Sequence, residues 1–241
     1  MKNKQLTRRI LQYAAGLVCM AIGLVLLKRT NWGVSPITAV PDAVTNIFIG
    51  GPLEKLLSLG NTTILLHLVC VLMQIAVQRR VTLKSVLCMC VGIPFGKLVD
   101  LFLWLWNPTL VLWQKIVALV AGIAIQGFGV ALIICCDMML PAPDEFNAVF
   151  AQVHKKKTGN VKIVADAVYV CTALLINLFT WLLAPEKLSL SIGIASVASV
   201  FLTGRFINLT MKLFPGLKME PLFQSTSPQK VHDEKDSSLS S

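Results

Sequence analysis

With 241 residues, 55% of them hydrophobic and 14% charged, and a mean hydropathy of +0.72, the chain is too apolar for a soluble domain, in which roughly a quarter of residues carry charge. Its net charge of +10 does not mark a nucleic-acid partner, because the basic residues flank apolar runs instead of forming a patch interleaved with aromatics. Seven cysteines, all inside apolar runs and none in a C-x-x-C pair, indicate neither a metal site nor a disulfide framework.

Residues 1–9 carry Lys2, Lys4, Arg8 and Arg9 and are expected to lie in the cytoplasm ahead of a first apolar run, 10–27. No small-residue cleavage site follows that run, so it reads as a retained span and not as a signal peptide. The polar break 31–38, Asn31-Trp-Gly-Val-Ser-Pro-Ile-Thr38, comes next. Ser35 followed by Pro36 is a helix-start pair, since Ser can cap free N–H groups and Pro fits the first helical position. A helix start just after a membrane span predicts a short re-entrant or interfacial helix, and a re-entrant one presents its positive dipole end to a cavity.

A span needs about 20 apolar residues, and six stretches qualify: 10–27, 62–77, 85–106, 115–136, 163–183 and 188–213. The composition of 214–241 turns to Ser, Lys, Asp and Gln, which predicts a disordered cytoplasmic tail. With the N-terminus inside, 15 Lys and Arg fall on the inner flanks and five, including Lys28 and Arg29, on the outer ones. That bias predicts both termini in the cytoplasm of a bacterial cell, with the chain in its inner membrane.

The sequence repeats itself. Gly16 and Gly23 match Gly122 and Gly129, at the same spacing 106 residues on, and a Pro follows each pair, Pro36 and Pro143. Gly60-Asn61 matches Gly159-Asn160, and Gly96-Lys97 with Asp100 matches Gly204-Arg205 with Asn208. Each half, 10–106 and 107–213, holds three spans. An odd number turns the second half upside down relative to the first, which is the inverted-repeat plan of many secondary transporters.

Gly33, Ser35 and Pro36 at the first turn, Pro143 with Glu145 two residues on, Lys157-Thr158-Gly159 leading into a span, and Gly96 with Asp100 resemble the YczE/YyaS/YitT-type family of bacterial integral membrane proteins over roughly residues 8–213. The resemblance implies a multi-pass bacterial membrane protein and no particular substrate or reaction. Thr38 and Asp166 depart from the pattern, which carries an acid and a base at those places.

Ionisable groups within hydrocarbon cost about 2.5–3.5 kcal/mol each on insertion scales, so each asks for a reason. Lys97 and Asp100 share a helix face at i and i+3, and Arg205 is the repeat counterpart of Lys97. Facing inward, the two cations favour an anionic solute; facing outward, they snorkel beside Asp100. His67 and Asp166, also repeat counterparts, are candidate proton carriers. Asp144 and Glu145 suit the start of a helix, in which Phe146, Val149, Phe150 and Val153 form an apolar stripe with Asn147 off it. Gly92-Ile-Pro-Phe-Gly96 allows close helix approach and a kink. No nucleophile elbow, zinc helix, P-loop or dinucleotide fingerprint occurs.

The expectation is therefore an all-α polytopic membrane protein of six transmembrane helices in two inverted three-helix repeats. It is expected to transport a small solute, anionic if Lys97 and Arg205 face inward, without catalytic residues, cofactor or metal. Ser35, Pro36, Thr38, Lys97, Asp100, Pro143, Glu145 and Arg205 are the expected solute-binding residues. The alternative is an accessory or scaffold protein that binds a lipid, a partner protein or a second copy of itself.

Overall fold

The computed structural model describes residues 2–183 and 191–217. Among them are eight helices and no strand: α1 (Lys2–Thr30), α2 (Pro36–Ile47), α3 (Leu59–Gln78), α4 (Leu83–Leu105), α5 (Leu112–Cys135), α6 (Ala142–Val153), α7 (Thr158–Leu183) and α8 (Ile194–Leu213). All but α2 and α6 are long and apolar enough to cross a membrane, and the chain is a multi-pass membrane protein in contact with lipid.

The helices overrun the apolar windows at most boundaries, because backbone hydrogen bonding continues into polar flanks once a turn is nucleated. α1 begins at Lys2, so residues 2–9 extend the first helix instead of preceding it. α3 begins at Leu59, where the Ser58 hydroxyl accepts from Asn61 N, and α7 begins at Thr158. Residues 215–217 form a 3-10 turn within the segment expected to be tail; the remaining tail, 218–241, lies outside the described residues, as does 188–190 of the sixth predicted span.

That turn docks on the start of α1. Arg8 donates to Gly216 O (3.0 Å) and Gln12 to Leu217 O (3.1 Å), while Arg9 donates to Cys136 O (2.9 Å) at the end of α5. The start of α1 and the ends of α5 and α8 thus share one side of the molecule. On the other side, Arg29 caps the end of α4 through Trp106 O (2.9 Å) and Leu103 O. Lys28 pairs with Asp42 of α2 at 2.6 Å and donates to Asn46 Oδ1 at 3.0 Å. Lys28 and Arg29, two of the five basic residues that run against the inner bias, are both engaged in fixing helices.

α1 and α5 cross antiparallel along most of their length, and glycine makes the crossing close. A methyl group on Gly16 would lie 2.9 Å from Gly129 O, and one on Gly23 would lie 2.7 Å from Gly122 O. α4 packs on α1 and α8 on α5. α2 packs on α7 and α3, and α6 on α3 and α7. The break 31–35 lies on the start of α8: Val34 N donates to Ser191 O (3.1 Å) and Ala195 N to Trp32 O (2.9 Å). Gly33, at φ +96, can follow this path because it carries no side chain.

α3 and α4 are clasped where Gly60 meets Gly96. A methyl group on Gly60 would collide with Gly96 O, and one on Gly96 would lie 2.5 Å from Gly60 O. Asp100 completes the clasp by accepting from Gly60 N and from Ser58 Oγ, both at 2.7 Å. Lys97 donates to Asn61 Oδ1 at 2.7 Å. Their sequence counterparts, Gly159 on α7 and Gly204 on α8, have open space about them.

Candidate functional site

Where the two short helices begin, their N-terminal ends line one central cavity of about 380 Å³, together with residues of every long helix. α2 contributes Ser35, Pro36 and Thr38, and α6 contributes Pro143, Asp144 and Asn147. Neither helix lies flat on the surface: Pro36, Thr38, Ala39, Asp42 and Asn46 are buried on α2, as are Pro143, Glu145, Asn147, Val149 and Ala151 on α6. Ser35 is the N-cap residue and Pro36 follows it, as their order predicts. The Ser35 hydroxyl, however, meets Thr38 Oγ1 (2.9 Å) instead of a backbone N–H, leaving the helix start facing the cavity with its dipole uncompensated by an anion.

The charge in the cavity comes from the second half. Lys162 of α7 bonds Asp144 Oδ1 at 2.7 Å and stands 3.9 Å from Asp166 Oδ1. Across from them on α3 is His67, 5% exposed, whose Nδ1 meets Thr63 O at 2.8 Å. A carbonyl only accepts, so Nδ1 carries a proton, and in the neutral ring Nε2 is left as an acceptor. Two amides complete the lining. Asn147, 1% exposed, has neither end of its side chain hydrogen-bonded, and Gln126, 8% exposed, has a free Oε1. Buried polar groups are nearly always partnered, so these point to something the cavity takes up, water or a solute.

Of the residues singled out from sequence, the structure brings Ser35, Pro36, Thr38, Pro143, His67 and Asp166 to this cavity. It does not bring Lys97, Asp100, Glu145 or Arg205. Lys97 and Arg205 are exposed, Asp100 caps α3, and Glu145 is buried behind the cavity, accepting from Leu140 N at 3.3 Å. Three cavity residues escape sequence reasoning. Lys162 reads as one more inner-flank cation, Gln126 is a lone neutral polar residue in an apolar run, and Asn147 falls off the apolar stripe of α6. A polar residue facing a membrane protein's interior carries no mark in hydropathy.

A second, apolar space of about 820 Å³ runs between α3 and α7, with α2 and α6 as its floor. Leu66 and Asn147 line both spaces and stand between them. No group of three His, Cys, Asp or Glu side chains suited to a metal converges among the described residues.

No curated protein and no solved structure matches the chain. The profile of a family of unknown function, DUF6198, matches residues 7–212, and the chain belongs to that family.

Proposed function

We propose that the protein is a secondary transporter of a small polar solute, built as two inverted repeats, 10–106 and 107–213, with the solute bound between them. Several features support the duplication. Each short helix packs on the long helix of the opposite half, α2 on α7 and α6 on α3, and α1–α4 has its counterpart in α5–α8. The glycines support it most directly: Gly16 meets Gly129 and Gly23 meets Gly122, so each glycine touches the copy of the other, as a twofold axis between antiparallel helices requires.

The observation that carries transport is the difference between the halves. The same residue set, two glycines, a basic residue and an Asp or Asn, clasps α3 to α4 at Gly60 and Gly96 and stands apart at Gly159 and Gly204. α3 starts on the side remote from the N-terminus, and α7 starts on the N-terminal side. The cavity reaches the gap between α7 and α8, where Thr158, Lys162, Thr203 and Gly204 line it. In an inverted repeat, exchanging the two conformations closes that gap and opens the other, which is alternating access. Lys97, Asp100 and Arg205 then act in gates and not on the solute. Asn208 would cap Gly159 N as Asp100 caps Gly60 N. His67 and Asp166 remain the proton-coupling candidates, now facing one cavity. The location that fits is the bacterial inner membrane with both termini cytoplasmic, since the basic residues concentrate on the side of α1's start.

The test is a cysteine pair at Gly159 and Gly204 in a background lacking the seven native cysteines. The pair should cross-link in membranes as the gap closes, and a buried Ser199→Cys in the same background should lose reactivity toward an impermeant reagent added on the N-terminal side. Failure of the pair to cross-link sinks alternating access.

A second reading, an accessory protein that binds lipid, is favoured by the apolar space between α3 and α7. It differs in expecting one fixed conformation and no cross-link.

A further inference from the structure

We infer that the solute held in the central cavity is a small primary-amine cation, with its ammonium group on Asp166. This rests on reading the cavity as the solute site and goes beyond that reading by naming the chemistry. It departs from the anionic preference suggested by Lys97 and Arg205, which lie elsewhere.

The charge balance comes first. The ionisable groups lining the cavity are Asp144, Asp166, Lys162 and His67; the lining residues from α1, α2, α4, α5 and α8 carry none. Lys162 offsets one carboxylate, so with both carboxylates ionised and His67 neutral the cavity carries one negative charge. In a poorly solvated interior an unpaired charge is costly, and a second cation relieves that cost. Geometry says where it goes. Lys162 sits on Asp144 at 2.7 Å and leaves Asp166 Oδ1 at 3.9 Å, a buried oxygen without a hydrogen bond.

Hydrogen-bond polarity agrees. Asp166 Oδ1, Gln126 Oε1 and Asn147 Oδ1 are buried acceptors without donors, and in a neutral His67 protonated at Nδ1 the Nε2 atom is a further acceptor. Among the lining's fully buried side-chain atoms that lack a partner, the donor is Asn147 Nδ2. A lining so rich in acceptors is satisfied by a ligand rich in N–H donors, and an ammonium group brings three with its charge. A carboxylate or phosphate would meet Asp166 and the acceptors unfavourably.

The test uses the full chain in lipid nanodiscs, with methylammonium chloride and sodium acetate as probes at matched ionic strength. Methylammonium should raise the melting temperature by about 5–10 °C at roughly 100 times its dissociation constant, and acetate should not. Asp166→Asn should keep the fold and lose the shift. Gln126→Leu, which removes an acceptor without touching charge, should weaken methylammonium binding about tenfold and covers the case in which Asp166→Asn does not fold. Stabilisation by acetate, no stabilisation by methylammonium, or an undiminished shift in the variants overturns the inference. The cross-link at 159 and 204 separates the two claims: amine binding without a cross-link leaves the ligand class standing and removes transport.

Discussion

The clasp between α3 and α4 offers the sharpest test, through Gly60→Ala set beside Gly159→Ala. A methyl group on Gly60 collides with Gly96 O and lies 2.5 Å from both Cγ and Oδ2 of Asp100. The backbone oxygen cannot yield, so overpacking costs about 1–3 kcal/mol. Displacing Asp100 also strains the 2.7 Å bond to Gly60 N, a cap worth about 0.5–2 kcal/mol. Together these raise the clasped conformation by about 2–4 kcal/mol, a population shift of roughly 30- to 800-fold. The same methyl group on Gly159 meets nothing within 4 Å, and in the alternating reading it obstructs only the other conformation. An impermeant maleimide directed at Ser199→Cys reports the outcome. Gly60→Ala should speed labelling from the side remote from the N-terminus, and Gly159→Ala should abolish it while leaving labelling from the N-terminal side intact. Wild-type labelling and melting in Gly60→Ala, or equal damage from both substitutions, refutes the clasp as a gate.

The scaffold yields two further predictions. Gly23→Ala places a methyl group 2.7 Å from both Gln126 N and Gly122 O, backbone atoms of the α1–α5 crossing, and should cost about 2–3 kcal/mol, seen as a fall of roughly 4–12 °C in melting temperature. Lys28→Met strands Asp42, 2% exposed, and should cost about 3 kcal/mol; adding Asp42→Leu should recover most of that loss in the same melting assay, because the penalty is that of an unpaired buried carboxylate.

Much of the fold was legible because a bilayer imposes a length and a polarity that composition records. Six apolar runs became six long helices, and the Ser35-Pro36 and Pro143 turns began the two short ones. The α1–α5 crossing was legible through glycine, the residue that close helix approach demands at Gly16, Gly23, Gly122 and Gly129. The site was less so. Hydropathy tells how deep a residue lies, not which way it points. Lys97 and Asp100 share a face, yet that face belongs to the α3–α4 clasp and not to the cavity. Lys162 counts as a flank residue by position, though the helix carries it inward to Asp144 and Asp166. Lys28 and Arg29 look like exceptions to the charge bias until Asp42 and the end of α4 supply their partners.

In the alternating reading the two gates are built from nearly the same parts, and the differences between them decide which closes more firmly. Each has a glycine pair, an Asn near the start of a span, Asn61 or Asn160, and a basic residue, Lys97 or Arg205. These terms nearly cancel when one gate is exchanged for the other, which keeps both conformations within reach of a modest driving force. The caps do not cancel. Asp100 brings a negative charge to the N-terminus of α3, whereas Asn208 would bring a neutral amide to α7, and a charge at a helix N-terminus is worth about 0.3–1 kcal/mol. The balance favours the clasp at Gly60, leaving the cavity open toward the side of the chain's N-terminus. Asn208→Asp should remove that bias, raising the fraction of the 159–204 cysteine pair that cross-links by about two- to fivefold. A cross-linked fraction unchanged by Asn208→Asp, in protein of wild-type stability, would show that this residue does not cap α7 and that the second gate is not a copy of the first.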